Sequence, residues 1–128
     1  MSRAKGTRKP CDVQQARQRL VDARQFLEAA KLLDAPDVVA TCAIHAAIAA
    51  SDAVTCHALG ERSNDGNHVS AVDLLRHVDA KRATALKRAL DRKTQAGDES
   101  VDISPADAEG CVKWASQLLA AAEARLEV

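Results

Sequence analysis

The feature that most constrains the fold of this chain is the run DVVATCAIHAAIAASDAVTCHAL, residues 37–59, which is apolar on almost every face of a helix. A helix that is apolar all round belongs at the centre of a bundle, where neighbouring elements cover each face. Pro36 suits the first turn of this helix, because its missing N–H is not needed there. Gly60 is a natural stop. The run therefore predicts a core helix surrounded by other elements.

Further helices are predicted where apolar residues recur every three or four positions. They are expected over about residues 13–34, 69–78, 79–95 and 105–126. Asp12 and Ser104 precede two of these stretches and are predicted N-caps, and Pro105 follows at a first helical position. No segment shows strand-like alternation, and the connections are short. We therefore predict an all-α fold, an up-and-down bundle of four to five helices.

Length and charge set the expected domain organisation. A chain of 128 residues fits one domain with one core. Residues 1–11, MSRAKGTRKPC, are basic and lack apolar periodicity, so we expect a disordered basic tail followed by a helical domain over 12–128. Eighteen basic residues balance eighteen acidic ones, so net charge favours no particular partner. Without an uninterrupted apolar run of about 20 residues or a secretion signal, we expect a soluble, cytoplasmic protein with no membrane partner.

The cysteines form no C-x-x-C pair; they are Cys11, Cys42, Cys56 and Cys111. Reduced cysteines inside helices behave as small apolar residues, so we predict no disulfide. Cys42, His45, Cys56 and His57 could be drawn as a metal site, but Cys42 and Cys56 fall on an alanine face typical of a tight helix contact. No metal and no cofactor are expected.

The segment RSNDGNH, residues 62–68, pairs two chemically useful side chains. A guanidinium binds phosphate with a planar fork of donors, and an imidazole transfers protons near neutral pH. Arg62 and His68 would together suit cleavage of a phosphodiester without a metal ion. Alternatively, Arg62 is a solvated cation favoured by the helix dipole, and His68 merely opens the next helix.

Read together, the core helix and this segment, AIHAAIAASDAVTCHALGERSNDGNHVSAVDLL, resemble the HEPN domain family. In that family an Arg, four to six residues and then a His mark the site of metal-independent ribonucleases, and Arg62 and His68 match this pattern. The chain is similar to small stand-alone HEPN proteins of actinobacteria in residues 48–53 and 58–60. The stretch SPADAEGCVKWASQLL, 104–119, resembles their last helix.

The resemblance implies a toxin-like or defence-associated endoribonuclease that acts on RNA as a homodimer, with two Arg62/His68 pairs at one cleft. It also implies a partner, either an antitoxin or a nucleotidyltransferase. His68 would act as general acid or base, and Arg62 would stabilise charge on the phosphorus centre. The expected supporting residues are Asp52, Ser63, Asn64 and Asn67.

An alternative of a different class is a non-catalytic HEPN module that binds nucleotide, RNA or a protein partner through the same cleft. Active members often place Asn, Asp or His directly after the Arg, whereas this chain has Ser63. Ser63 therefore favours the binding module.

Two polar features of the predicted helices leave alternatives open. Thr41, His45 and Asp52 share a narrow arc of the core helix, so Asp52 supports the Arg62/His68 site or the arc faces water. The helix over 79–95 carries a basic stripe that could follow a phosphate backbone. Acidic residues dilute that stripe and aromatic partners are scarce, which favours an ordinary exposed face.

Overall fold

The computed structural model describes residues 8–64, 68–96 and 103–127, and five helices make up most of these residues. The helices are α1 Val13–Leu32, α2 Pro36–Leu59, α3 His68–Arg76, α4 Ala80–Ala96 and α5 Pro105–Leu126. Two short strands, β1 Arg8–Pro10 and β2 Glu61–Ser63, complete the described elements. The predicted all-α bundle is confirmed.

The helix ends follow the local sequence. The Asp12 carboxylate accepts a hydrogen bond from the Gln15 backbone N–H at 2.8 Å, and the Gln15 side chain accepts one from the Asp12 N–H at 2.8 Å. This reciprocal capping box begins α1. At α5, the Ser104 hydroxyl accepts a hydrogen bond from the Asp107 N–H at 3.0 Å. Both predicted N-caps are confirmed because a short polar side chain satisfies an N–H that the helix leaves free.

Helix α2 forms the centre of the bundle, packed chiefly against α1 and α5. Seven of its alanines are fully buried: Ala40, Ala43, Ala46, Ala47, Ala49, Ala50 and Ala53. Such small side chains let neighbouring backbones approach closely. Among the described helices, α2 alone is long and apolar enough to cross a membrane by length and composition, but 67% of that stretch is buried inside the bundle. Burial in the protein core accounts for its apolar character.

The two strands correct the predicted boundary of the basic tail. Residues 1–7 lie outside the described residues, but Arg8–Pro10 pair antiparallel with Glu61–Ser63, so that Lys9 faces Arg62. The Cys11 N–H extends this pairing by donating to the Gly60 carbonyl at 3.0 Å. The assignment of residues 8–11 to a disordered tail is therefore wrong. Strands of three residues are too short to show the apolar/polar alternation by which a strand is predicted.

A disulfide between Cys11 and Cys56 corrects the prediction of reduced cysteines. The two Cα atoms lie 5.4 Å apart, and the bond closes a loop across 45 positions of sequence. Cys56 was predicted to serve as a small apolar contact on α2, and it is buried. Its partner, however, is Cys11, which directly follows β1. Of the described cysteines, Cys42 and Cys111 are free.

Candidate functional site

The turn after α2 determines where Arg62 lies. Gly60 ends α2 in the left-handed conformation, with φ at 70°, and its N–H donates to the Cys56 carbonyl at 3.0 Å. Glycine adopts this conformation without the steric cost that a Cβ would bring. The chain then turns back into β2, which pairs with β1 and places Arg62 beside the last turns of α2.

Asp52 of α2 is the acid that meets Arg62. Its side chain is buried, and Oδ2 lies 3.5 Å from Nη1 of Arg62. The same oxygen lies 3.2 Å from both Nε and Nη2 of Arg19 on α1. One buried carboxylate thus holds two guanidinium groups together, as buried charges require opposite partners. We call Arg19, Asp52 and Arg62 the arginine cluster.

The protonation of Asp52 depends on two opposing effects. Burial raises the pKa of the Asp52 carboxyl above its usual value, and the two guanidinium groups oppose that rise. The Coulomb attraction of Arg19 lowers the pKa of Asp52 more than that of Arg62 does, because Arg19 lies closer to the carboxylate. Arg19 is also paired with Asp22 at 3.0 Å, so within the described residues Arg62 has fewer anionic contacts than Arg19.

Arg62 keeps donors available for an external anion. A guanidinium carries five N–H donors, and in the described residues Arg62 has a single ion pair, to Asp52 at 3.5 Å. The Arg62 side chain is 22% exposed, so part of the planar group reaches solvent. A phosphate oxygen could bind the exposed edge while Asp52 fixes the other side.

His68 begins α3 and is half-buried. It lines a groove between α3 and α4 with a volume of about 200 Å³, together with Val72, Arg76 and Lys87. Arg76 and Lys87 are each paired with an acid on their own helix, at 2.8 and 3.2 Å. Arg62 does not line this groove. Within one chain, Arg62 lies on β2 and His68 begins the next element, α3. The two predicted catalytic side chains therefore lie on neighbouring elements but do not share this groove.

The remaining predicted supporting residues divide into three cases. Ser63 is buried, with its backbone paired opposite Arg8. Asn64 is half-buried directly after β2. Asn67 lies outside the described residues. Because its side chain is buried, Ser63 supports the fold around Arg62 and has little surface with which to contact a substrate.

The polar arc predicted on α2 separates into two environments. Thr41 and His45 are exposed, and the His45 ring stacks on Phe26 with centroids 5.3 Å apart. Asp52 lies about two turns beyond His45. It is buried under Arg19 and Arg62. Only the last residue of the arc belongs to the candidate site.

Arg19 is the member of the cluster that sequence reasoning missed. It lies three residues after Ala16 and one before Leu20, both of which are buried on the inner face of α1. The available signal was a cation at the border of an apolar stripe, together with Asp52, the acid of α2 that lies beyond its first turn. Pairing the two required the register of α1 against α2, which the sequence pattern leaves undetermined.

No group of three or more metal-binding side chains occurs in the described part of the chain. Comparisons of the sequence with family models and with curated proteins, and of the structure with solved structures, find no match.

Proposed function

We propose that this chain is a HEPN-type, metal-independent endoribonuclease, toxin-like or defence-associated, in which Arg62 and His68 carry the chemistry. The observation that supports the proposal is the arginine cluster: a buried carboxylate positions Arg62 beside Arg19, at the turn that leads to the helix opened by His68. Two guanidinium groups fixed close together suit a phosphodiester, which carries one negative charge and several acceptor oxygens.

In the proposed reaction, His68 accepts the proton of the ribose 2′-hydroxyl, and that oxygen attacks the adjacent phosphorus. The bond from phosphorus to the 5′-oxygen of the next nucleotide breaks, and the leaving oxygen takes up a proton from water. The imidazolium of His68 then releases its proton to solvent, which restores the imidazole. The products are a 2′,3′-cyclic phosphate and a 5′-hydroxyl. Arg62 stabilises the charge that builds on the phosphoryl oxygens in the transition state, where a fixed donor contributes most.

The test is cleavage of end-labelled RNA by purified protein in the presence of EDTA. We expect cleavage by the natural chain, with a cyclic phosphate on the upstream product. We expect a loss of at least about a hundredfold in rate for His68→Ala, as removal of a general base typically costs. Arg62→Gln should lose a similar factor.

Matched controls use residues of the same type away from the site. His77→Ala removes an exposed imidazole after α3, and Arg88→Gln removes an exposed guanidinium on α4. Both should cleave at the natural rate, and circular dichroism should show all four variants folded. Cleavage that survives His68→Ala in a folded protein would remove His68 from the mechanism.

The proposal includes a homodimer that brings two Arg62/His68 pairs to one cleft. Two of the exposed large apolar side chains lie next to the candidate site in sequence: Leu59 at 42% and Val69 at 74%. If the dimer interface lies at the candidate site, these are the apolar side chains that it would cover. Val69→Asp should yield a monomer in light scattering and abolish cleavage. Leu32→Asp, at the opposite end of α1 from the strands and 84% exposed, should leave the dimer intact. A natural chain that is monomeric at assay concentration would contradict the dimer.

The second candidate is a non-catalytic HEPN module that binds nucleotide, RNA or a protein through the same cleft. The burial of Ser63 favours it, because the position after Arg62 then offers no polar group to a substrate. A gel-shift experiment in EDTA separates the candidates, since RNA that is bound and recovered intact supports the module.

Partner and location also remain proposals. Co-purification from a host that carries the neighbouring genes tests for an antitoxin or nucleotidyltransferase. Cytoplasmic location is at odds with the Cys11–Cys56 bond, because disulfides persist mainly in oxidising compartments. Alkylation of the thiols in intact cells, followed by mass spectrometry, would show the state of both cysteines in the compartment where the protein works.

A further inference from the structure

The Cys11–Cys56 bond lies next to the arginine cluster. Cys56 follows Asp52 by four residues, so the two side chains lie one turn apart on the same side of α2. Gly60 then ends the helix, and β2 carries Arg62. At the other end of the bond, Cys11 directly follows β1. The bond therefore joins the helix that carries Asp52 to the strand that pairs with Arg62.

The polar contacts that hold β1 in place are weak in the described part of the chain. Its pairing with β2 spans three residues, and the Cys11 N–H adds a hydrogen bond to the Gly60 carbonyl at 3.0 Å. The ion pair between Arg8 and Glu61 at 3.6 Å joins side chains that are 35% and 43% exposed, and exposed pairs contribute little stability. Two short strands without a third are marginal in water. Without the covalent bond, we expect β1 to separate from β2.

The position of Arg62 depends on that pairing. In the described residues β2 pairs with no strand other than β1, and Lys9 lies opposite Arg62 in the register. The contact of Arg62 with Asp52, at 3.5 Å, is longer than that of Arg19, at 3.2 Å. Once β1 leaves, β2 becomes an unpaired segment between Gly60 and α3. Arg62 then loses the backbone register that holds it beside Asp52.

Access to the two sulfur atoms differs before and after the bond forms. In the bonded chain Cys11 is 9% exposed and Cys56 is 2% exposed, so a reductant has little access to either sulfur. Cys11 and Cys56 pack together in one small apolar cluster, so separation of β1 exposes both thiols. An oxidant therefore reaches the open chain, whereas the closed bond is shielded. This difference favours formation of the bond over its reduction.

We propose that Cys11 and Cys56 form an oxidative switch for the Arg62 site: the reduced chain is latent, and formation of the bond places β1 against β2 and fixes Arg62 beside Asp52. The oxidant is a low-molecular-weight disulfide. One cysteine thiolate attacks it, which gives a mixed disulfide and releases one thiolate, and the second cysteine thiolate then displaces the other. Two cysteine thiols are thus oxidised, one external disulfide is reduced, and the two cysteine protons pass through solvent to the released thiolates. The effect on RNA cleavage rests on the proposed function, whereas the effect on Arg62 does not.

The test compares the natural chain in two states of known thiol content. Unfolding in urea with TCEP and refolding under TCEP gives the reduced chain, and oxidised glutathione, added after TCEP is removed, gives the bonded chain. Alkylation and mass spectrometry should find all four thiols in the first and only those of Cys42 and Cys111 in the second. Circular dichroism without urea should show both states folded. A refolded chain that keeps all four thiols in oxidised glutathione would overturn the proposal.

Amide hydrogen exchange measures the position of β1 directly. The Cys11 N–H, which donates to the Gly60 carbonyl, should exchange at least about tenfold faster in the reduced chain, because local opening removes its acceptor. The Ala16 N–H, which donates to the Asp12 carbonyl at 2.9 Å in the first turn of α1, is the internal control and should be unchanged. The Arg62 Nε–H signal in NMR should shift on reduction. Equal exchange of the Cys11 N–H in both states would refute the switch.

Cleavage of RNA in EDTA gives the functional readout. The reduced chain should cleave at least about tenfold more slowly, since a small displacement of an aligned group costs that much or more, and oxidised glutathione should restore the rate. Cys11→Ser should stay at the reduced rate under both conditions, whereas Cys42→Ser, the matched control, should respond like the natural chain. The residual rate of Arg62→Gln should change little on reduction, whereas a general loss of stability would lower that rate as well.

The outcomes separate the switch from the proposed function. Cleavage at equal rates in the two states would leave the nuclease standing and refute the switch. A large further loss on reduction of Arg62→Gln would also refute it, because the bond would then act on something other than Arg62. If neither state cleaves RNA while the Cys11 N–H and the Arg62 signal respond to reduction as described, the nuclease is wrong and the switch in the position of Arg62 stands.

Discussion

The Cys11–Cys56 bond gives the most quantitative prediction about stability. It closes a loop across 45 positions, which contains all of α1 and most of α2, and so restricts a large part of the unfolded chain. In the chain-entropy description, a loop of this length contributes about 4 kcal/mol to the free energy of unfolding at 25 °C. With a urea dependence of roughly 2 kcal/mol per molar, loss of the bond should lower the urea midpoint by about 2 M.

The assay is urea unfolding followed by far-UV circular dichroism, with and without the reductant TCEP. Reduction should lower the midpoint of the natural chain by the predicted amount. Cys11→Ala should unfold early and should not respond to TCEP, because no bond remains to reduce. Cys42→Ala, which removes a free cysteine, should respond like the natural chain.

Two results would show that the bond does not stabilise the fold in this way. One is a set of unfolding curves for the natural chain that coincide with and without reductant. The other is mass spectrometry of denatured, non-reduced protein in which alkylation labels all four cysteines. If reduction of the bond lowered only the hydrogen-exchange protection of β2 and left the urea midpoint unchanged, the bond would fix only the turn that carries Arg62.

Three further predictions concern the core and the cluster. Asp52→Ala should lower the free energy of unfolding by about 2 kcal/mol in urea titration, because both guanidinium groups lose a buried partner; an unchanged midpoint would mean that the cluster does not form. Ala50→Leu should lower the free energy of unfolding by about 1–3 kcal/mol, because it overpacks the core. Ala58→Leu, at an exposed position of the same helix, should be nearly neutral in the same titration. Similar losses in the two variants would contradict the observed packing. Burial raises the pKa of the Cys111 thiol to about 11. At about pH 8, iodoacetamide should therefore modify half-buried Cys42 and leave Cys111 unmodified until the protein unfolds. Labelling of Cys111 in the folded protein, detected by mass spectrometry, would show an open core.

The helices could be predicted from the sequence because their signals are local. Apolar spacing identifies the face that packs, and Asp12, Gly60 and Ser104 satisfy or end the backbone hydrogen bonding within a few residues of their own positions. The all-apolar character of α2 also predicts its central place, because only surrounding helices can cover every face.

The features that could not be predicted depend on contacts between distant segments. The pairing of β1 with β2 and the bond from Cys11 to Cys56 join residues that no short-range pattern connects. Arg19 meets Asp52 across 33 positions of sequence. Asp52 itself was identified from its position on α2, since an acid on an apolar helix needs a basic partner.

In the proposed mechanism, Arg62 and His68 act on the same phosphate. The most direct measurement is heteronuclear NMR of arginine Nε–H and histidine ring signals, during titration with an RNA oligonucleotide whose 2′-O-methyl groups prevent cleavage. The Arg62 and His68 signals should shift together, with one apparent Kd, while the Arg88 signal should not move. Shifts at only one of the two residues, or two different affinities, would contradict it.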